Sequence, residues 1–169
     1  RRTANHIATD ILEGVELAVE TLRGHTRDAG TFAWKAETEE ARVRAWGERR
    51  SSMALGFFPI FKAEVLFLHE RPREALDVLT AGEPLLAAVP GNFATAYHPV
   101  FTALSITALL PGLDAEASAA LRPRLDAAVA RVSAMAAECA HNYEHLRLLV
   151  AAEVARVEGR AAEALDAYE

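Results

Sequence analysis

The feature that most narrows the fold is an internal repeat. Residues 63–79 read AEVLFLHERPREALDVL, and residues 152–168 read AEVARVEGRAAEALDAY. The pairs Ala63/Ala152, Glu64/Glu153, Val65/Val154, Arg71/Arg160, Glu74/Glu163, Ala75/Ala164, Leu76/Leu165 and Asp77/Asp166 are identical. Small side chains at Ala63 and Ala75, and again at Ala152 and Ala164, let two antiparallel helices approach closely. One such hairpin cannot bury both of its faces, so the pattern predicts hairpins that stack. The copies start 89 positions apart, at 63 and 152. One helix–turn–helix repeat takes about 34 residues, so an elongated hairpin is expected between them.

Helical spacing recurs along the rest of the chain, and no alternating strand pattern stands out. Ala and Leu, both strong helix formers, dominate. The 51% apolar content excludes a disordered tail. Ile7, Ile11, Leu12, Val15, Ala18, Val19 and Leu22 form one stripe on a helix closed by Gly24. Phe32 and Trp34 are expected to anchor the irregular stretch after it. A charged helix then starts at about Glu37, packs through Ala41, Val43 and Trp46, and ends at Gly47. Ser51 or Ser52 can cap the next helix, which is apolar almost all round from Met53 to Leu68 and therefore central. Pro59 predicts a kink there or a late start. Its partner carries Ala75, Leu76 and Leu79, with a bend expected at Pro84. After a break at 89–92, a helix bears Tyr97, Val100, Phe101, Leu104 and Ala108. Asp114 caps a long helix with the stripe Leu121, Leu125, Val129, Val132, Ala136 and Cys139, kinked at Pro123. Asn142 caps the next, which Gly159 ends. The expected fold is all-α, with about eight helices joined mostly by short turns that force antiparallel neighbours. Hairpins lie at roughly 51–88, 94–139 and 142–169, with N-terminal helices at 4–23 and 37–47, in one domain over 1–169.

The formal net charge is −6. Binding nucleic acid through phosphates needs a positive field, which the chain lacks in sum; the Arg1–Arg2 pair is too short to be a basic arm. A single cysteine, Cys139, excludes an intrachain disulfide and fits a reducing cytoplasm. No apolar run reaches the roughly 20 residues of a membrane span, and no signal peptide precedes the first helix. With no initial Met and a pattern that stops at Glu169, the chain is expected to be a fragment of a larger protein.

His141-Asn142-Tyr143-Glu144-His145 spells H-x-x-E-H, a zinc hydrolase pattern that needs both His on one helix face and a further ligand. With Asn142 as a cap, His141 would fall outside the helix, so His141 and His145 are weak metal candidates and no cofactor is expected. Cys139 reads as a buried structural thiol, since no base is recognisably paired with it. His98, beside Pro99, reads as a capping or core-edge residue; His6, His25 and His69 read as surface residues. Glu37, Glu39 and Glu40 complement a helix dipole. Phe57, Phe58, Phe61 and Phe67 read as core. Neither G-x-x-x-x-G-K-[ST] nor G-x-G-x-x-G occurs, so there is no phosphate cradle.

The small-residue spacing, with Gly159 at the turn, Ala164 next and Tyr168 after it, resembles a tetratricopeptide repeat. LRGHTRDAGTF, the stretch FKAEVLFLHERPREALDVLTAGEPLLAAVPGNFATAYHPVFTALSITALLP and the stretch NYEHLRLLVAAEVARVEGRAAEALDAYE resemble the helical region of large bacterial multidomain signalling proteins. In those a serine/threonine kinase-like domain and a P-loop ATPase module precede this region, and a GAF domain and a histidine kinase often follow. The resemblance covers most of residues 20–169. It implies hairpins stacked as a tetratricopeptide-like superhelix, with kinase and ATPase chemistry elsewhere in the parent protein.

The expected function is therefore a non-catalytic scaffold or regulatory segment that binds neighbouring domains of the parent chain, a protein or peptide, or itself. The rival reading is a small-molecule sensing domain of an ATPase-type transcription activator, with Phe58, Phe61, Tyr97 and Phe101 lining an interhelical pocket. A hydrolase using His141 and His145 ranks third.

Overall fold

The computed structural model describes residues 6–28, 30–33 and 38–169. Among these there are eight α-helices and no strand: α1 (His6–Leu22), α2 (Glu39–Glu48), α3 (Ser52–Leu68), α4 (Pro72–Gly82), α5 (Tyr97–Leu109), α6 (Ala115–Glu138), α7 (Ala140–Val157) and α8 (Ala161–Tyr168). Short 3-10 turns occupy Glu83–Ala88, Phe93–Ala96 and Leu110–Gly112. Helices pack mainly on their neighbours in sequence, in two units covering residues 1–95 and 96–169. In the first unit α1, α2, α4 and the 83–88 turn all pack on α3; in the second, α5, α6 and α7 pack on one another and α8 on α7.

The repeat is visible in the hydrogen bonds of its turns. After α3, the Glu70 N–H donates to the Phe67 carbonyl at 3.0 Å and the Arg71 N–H to the Leu66 carbonyl at 2.9 Å. After α7, the Gly159 N–H donates to Arg156 at 3.2 Å and the Arg160 N–H to Ala155 at 2.9 Å. Glu70 and Gly159 both take a left-handed conformation, which turns these N–H groups back onto carbonyls the helix end leaves unpaired. Arg71 and Arg160 then serve as the N-caps of α4 and α8. The link between α2 and α3 is built alike, with left-handed Arg50 and the Ser51 N–H donating to Trp46 at 2.9 Å. Ala63, Ala75, Ala152 and Ala164 are all buried.

The core of the first unit is aromatic. Phe58 on α3 meets Phe32 edge-on at 5.4 Å and Trp46 of α2 at 5.3 Å, with Leu17, Ala54 and Val65 around them. Such ring pairs add about 1 kcal/mol each beyond burial. Phe57 packs separately with Val89 and Ala94. In the second unit α5 buries Val100, Ala103, Leu104 and Ile106, while α6 buries Leu125 and Val132, and α7 Leu146 and Val150.

Several local expectations are corrected. α2 begins at Glu39, where the Ala41 N–H donates to the Thr38 hydroxyl at 3.2 Å, and it runs through Gly47. Its stop is set by the left-handed Arg50. α3 starts at Ser52 and not late, with Pro59 in its interior. Pro84 opens the 3-10 turn after α4 and does not bend the helix. Ser51 is the N-cap of α3 through its backbone alone, and its hydroxyl is buried without a hydrogen bond. Cys139 is not part of the α6 stripe: it is a half-buried, non-helical residue between α6 and α7. Its carbonyl accepts from the Asn142 and Tyr143 N–H groups, so α7 begins before Asn142. Trp34 and Glu37 lie outside the described residues. Asp114 does cap α6, accepting from the Ala117 N–H at 2.8 Å.

Candidate functional site

The largest departure from the sequence reading is on α1. An amphipathic helix ordinarily buries its apolar stripe. Here α1 buries Asp10, Gly14, Leu17 and Thr21, and of the predicted stripe only Ile11 and Ala18 pack against the core. Ile7, Leu12, Val15, Val19 and Leu22 are exposed, Leu12 by 66%.

The cause lies on α2 and its C-cap Arg49, whose donors hold the polar face of α1 inward. Arg49 reaches the buried Asp10 carboxylate at 2.6 Å. The Trp46 indole N–H donates to Glu13 at 3.1 Å, and Arg42 lies 3.3 Å from the same carboxylate. Gly14 faces the Trp46 ring, and an added Cβ would meet Trp46 Cη2 at an ordinary contact distance of 3.7 Å. Thr21 satisfies its own hydroxyl by donating to the Leu17 carbonyl at 2.7 Å. Pairing offsets the cost of burying a polar group: the Thr21 hydroxyl and one oxygen of Asp10 are paired, while the second Asp10 oxygen stays without a hydrogen bond.

A second bare face lies on α8. Leu165 is 60% exposed and Tyr168 50%, whereas their counterparts in the first copy, Leu76 and Leu79, are 3% and 0% exposed.

A cleft of about 390 Å³ opens beside the loop before α2, lined by Arg27, Thr31, Thr38, Glu39, Glu40 and Lys62 among others. Its charges are largely paired. Lys62 Nζ lies 2.5 and 2.6 Å from the two oxygens of Glu39. Glu39 thus bridges to α3, beyond the dipole role expected of it, and also accepts from the Phe32 N–H. Glu40 does sit on the helix start: its own N–H, then the Thr38 hydroxyl, hold its carboxyl below the usual range. Asp28 accepts from Gly30 and Thr31 N–H groups, and Arg71 stands 3.5 Å away.

His141 and His145 lie within α7 one turn apart, both exposed, so the expectation that His141 falls outside the helix is corrected. Glu144 between them is engaged by Arg147 at 2.6 and 2.8 Å, which holds its carboxyl low. Among the described residues, no three His, Cys, Asp or Glu are grouped to hold a metal ion. His98 is buried in the first turn of α5. His69 is half-buried, its Nδ1 2.8 Å from the Val65 carbonyl, where a surface position was expected. His25 is exposed beside Glu20 at 2.6 Å. Phe58 edges into the aromatic core of the first unit, and Tyr97 and Phe101 stack at 6.2 Å in the second. No described helix is long and apolar enough to cross a membrane.

The arrangement offers apolar helix faces and internally paired charges; sequence reasoning missed the outward turn of the α1 stripe, whose only local signal is the four acids among its residues. No family model, curated protein or solved structure matches this chain.

Proposed function

We propose that the chain is a non-catalytic scaffold or regulatory domain, built of tetratricopeptide-like hairpins stacked as a superhelix, from a bacterial multidomain signalling ATPase or kinase. The observation that carries this reading is the unequal burial of the two hairpin copies. The same face is closed at Leu76 and Leu79 and open at Leu165 and Tyr168. A repeat unit that leaves apolar side chains in solvent is stabilised by whatever next stacks on it, and exposed apolar surface of this kind marks interaction sites.

The test is titration calorimetry of the chain against the segments encoded beside it in its gene. Binding that weakens in the Leu165→Ser/Tyr168→Ser double variant is the expected result. Absence of binding to every segment together with absence of self-association would overturn the reading.

A further inference from the structure

We propose that the outward face of α1 seats an amphipathic helix whose apolar residues alternate in steps of three and four and whose flanks carry Lys or Arg. This rests on the interaction reading above and gives that function a surface and a partner chemistry.

Leu12, Val15, Val19 and Leu22 follow one another in steps of three, four and three, and all are exposed. Such spacing makes a narrow seam that a second helix, crossing at about 20°, fills knob into hole. An extended peptide presents side chains with a period of two and does not match it.

Charge selects among helices. α1 contains Asp10, Glu13, Glu16 and Glu20 and neither Lys nor Arg. Asp10 and Glu13 turn to Arg49 and Arg42, and Glu20 is paired with Arg23 and His25. Glu16 is exposed, and no ion pair to it is found among the described residues. It adjoins Val15, on the rim of the seam. A helix with a basic flank gains attraction there, and one with an acidic flank is repelled. A second copy of this chain is disfavoured for the same reason: antiparallel pairing of Val15 with Val19 would set Glu16 of each copy on one rim. An anionic lipid surface, which selects helices with Lys and Arg, is disfavoured as well.

The experiment titrates the full chain with synthetic three-heptad peptides bearing Leu at the seam positions and either Lys or Glu on both flanks. A third peptide keeps the Lys composition in scrambled order. The Lys-flanked helix is expected to bind at least about tenfold tighter than either of the others. Leu12→Ser/Val19→Ser should weaken it by at least about tenfold while leaving thermal melting unchanged, and Glu16→Lys should reverse the ranking. The proposal is overturned if the three peptides bind alike, if none binds, or if the double variant binds as well as the parent. It is equally overturned if the parent is a dimer that the double variant abolishes, or if the chain binds phosphatidylcholine vesicles containing phosphatidylserine. Gene-encoded segments that bind the chain and its Leu12→Ser/Val19→Ser variant equally would sink this proposal and leave the broader function standing. Lys-peptide binding without any gene-encoded partner would do the reverse.

Discussion

Glu70 and Gly159 hold the same left-handed turn in the two copies of the hairpin, with φ of 58° and 76°. The conformation is steric strain for a residue with a Cβ and almost free for glycine, a difference of about 1–2 kcal/mol. Glu70→Gly is therefore expected to stabilise the chain by about 1 kcal/mol. An added Cβ at Gly159 meets nothing within 4 Å, so Gly159→Ala should cost about 1 kcal/mol through backbone strain alone. Urea denaturation of both variants reads the two signs.

Two other glycines inside helices are expected to behave oppositely. A methyl on Gly82 would meet Pro59 Cγ at 2.7 Å and the rigid ring's Cβ closer still. Gly82→Ala should lose about 2 kcal/mol by overpacking the seam between α3 and α4. At Gly14 the same methyl finds ordinary contacts at 3.7 and 3.8 Å. Gly14→Ala should gain about 0.5–1 kcal/mol from helix propensity. Thermal melting separates them.

Glu64 and Glu153 occupy one repeat position with opposite electrostatics. Burial pushes the Glu64 carboxyl above its ordinary range. Burial also pushes Glu153 up, but hydrogen bonds from Arg156 and Tyr168 outweigh it and hold that carboxyl low. The first copy has Phe67 and Leu79 at the places of Arg156 and Tyr168, so Glu64 lacks those donors. A raised folded value means that ionisation opposes folding. Glu64→Gln should therefore raise the melting temperature at neutral pH, and the gain should vanish as pH falls below the ordinary Glu value of 4.5. The depressed Glu153 works the other way: its stabilisation is full above 4.5 and is lost as pH falls through the folded value. Melting curves of Glu64→Gln and Glu153→Gln across acid and neutral pH test both signs.

Asp10 is buried, one of its oxygens meets Arg49, and the other has no hydrogen bond. Arg49→Ala leaves a buried carboxylate unsatisfied, with an expected loss of about 2 kcal/mol. The double change Arg49→Ala/Asp10→Leu should recover most of it, which a two-by-two denaturation cycle measures.

The hairpins at 63–79 and 152–168 were legible because their signals are local: small residues at the seam, a helix-ending turn and a following helix start. Asp114 as a cap and Gly24 as a helix end were legible for the same reason. The orientation of α1 was not. It depends on Arg49, Trp46 and Arg42, side chains that lie tens of residues away in sequence and reverse the burial that the stripe from Ile7 to Leu22 suggests. The break between α6 and α7 was legible, but its cap was not: Asn142 reads as the helix start, whereas α7 begins at Ala140 and the Cys139 carbonyl accepts its first N–H groups. Among site residues, H-x-x-E-H is readable as a spacing, whereas the hold of Arg147 on Glu144 is a side-chain contact that the spacing does not reveal.

Hydroxyl-radical footprinting of the unmodified chain, read by mass spectrometry, measures directly which apolar faces meet solvent. Fast oxidation of Leu12, Leu22, Leu165 and Tyr168, with Leu17, Leu76 and Leu79 protected, is the expected pattern. Protection of Leu12 and Leu22 in the isolated monomer, or rapid oxidation of Leu17, would contradict an α1 that turns Asp10 and Leu17 inward and Leu12 and Leu22 out.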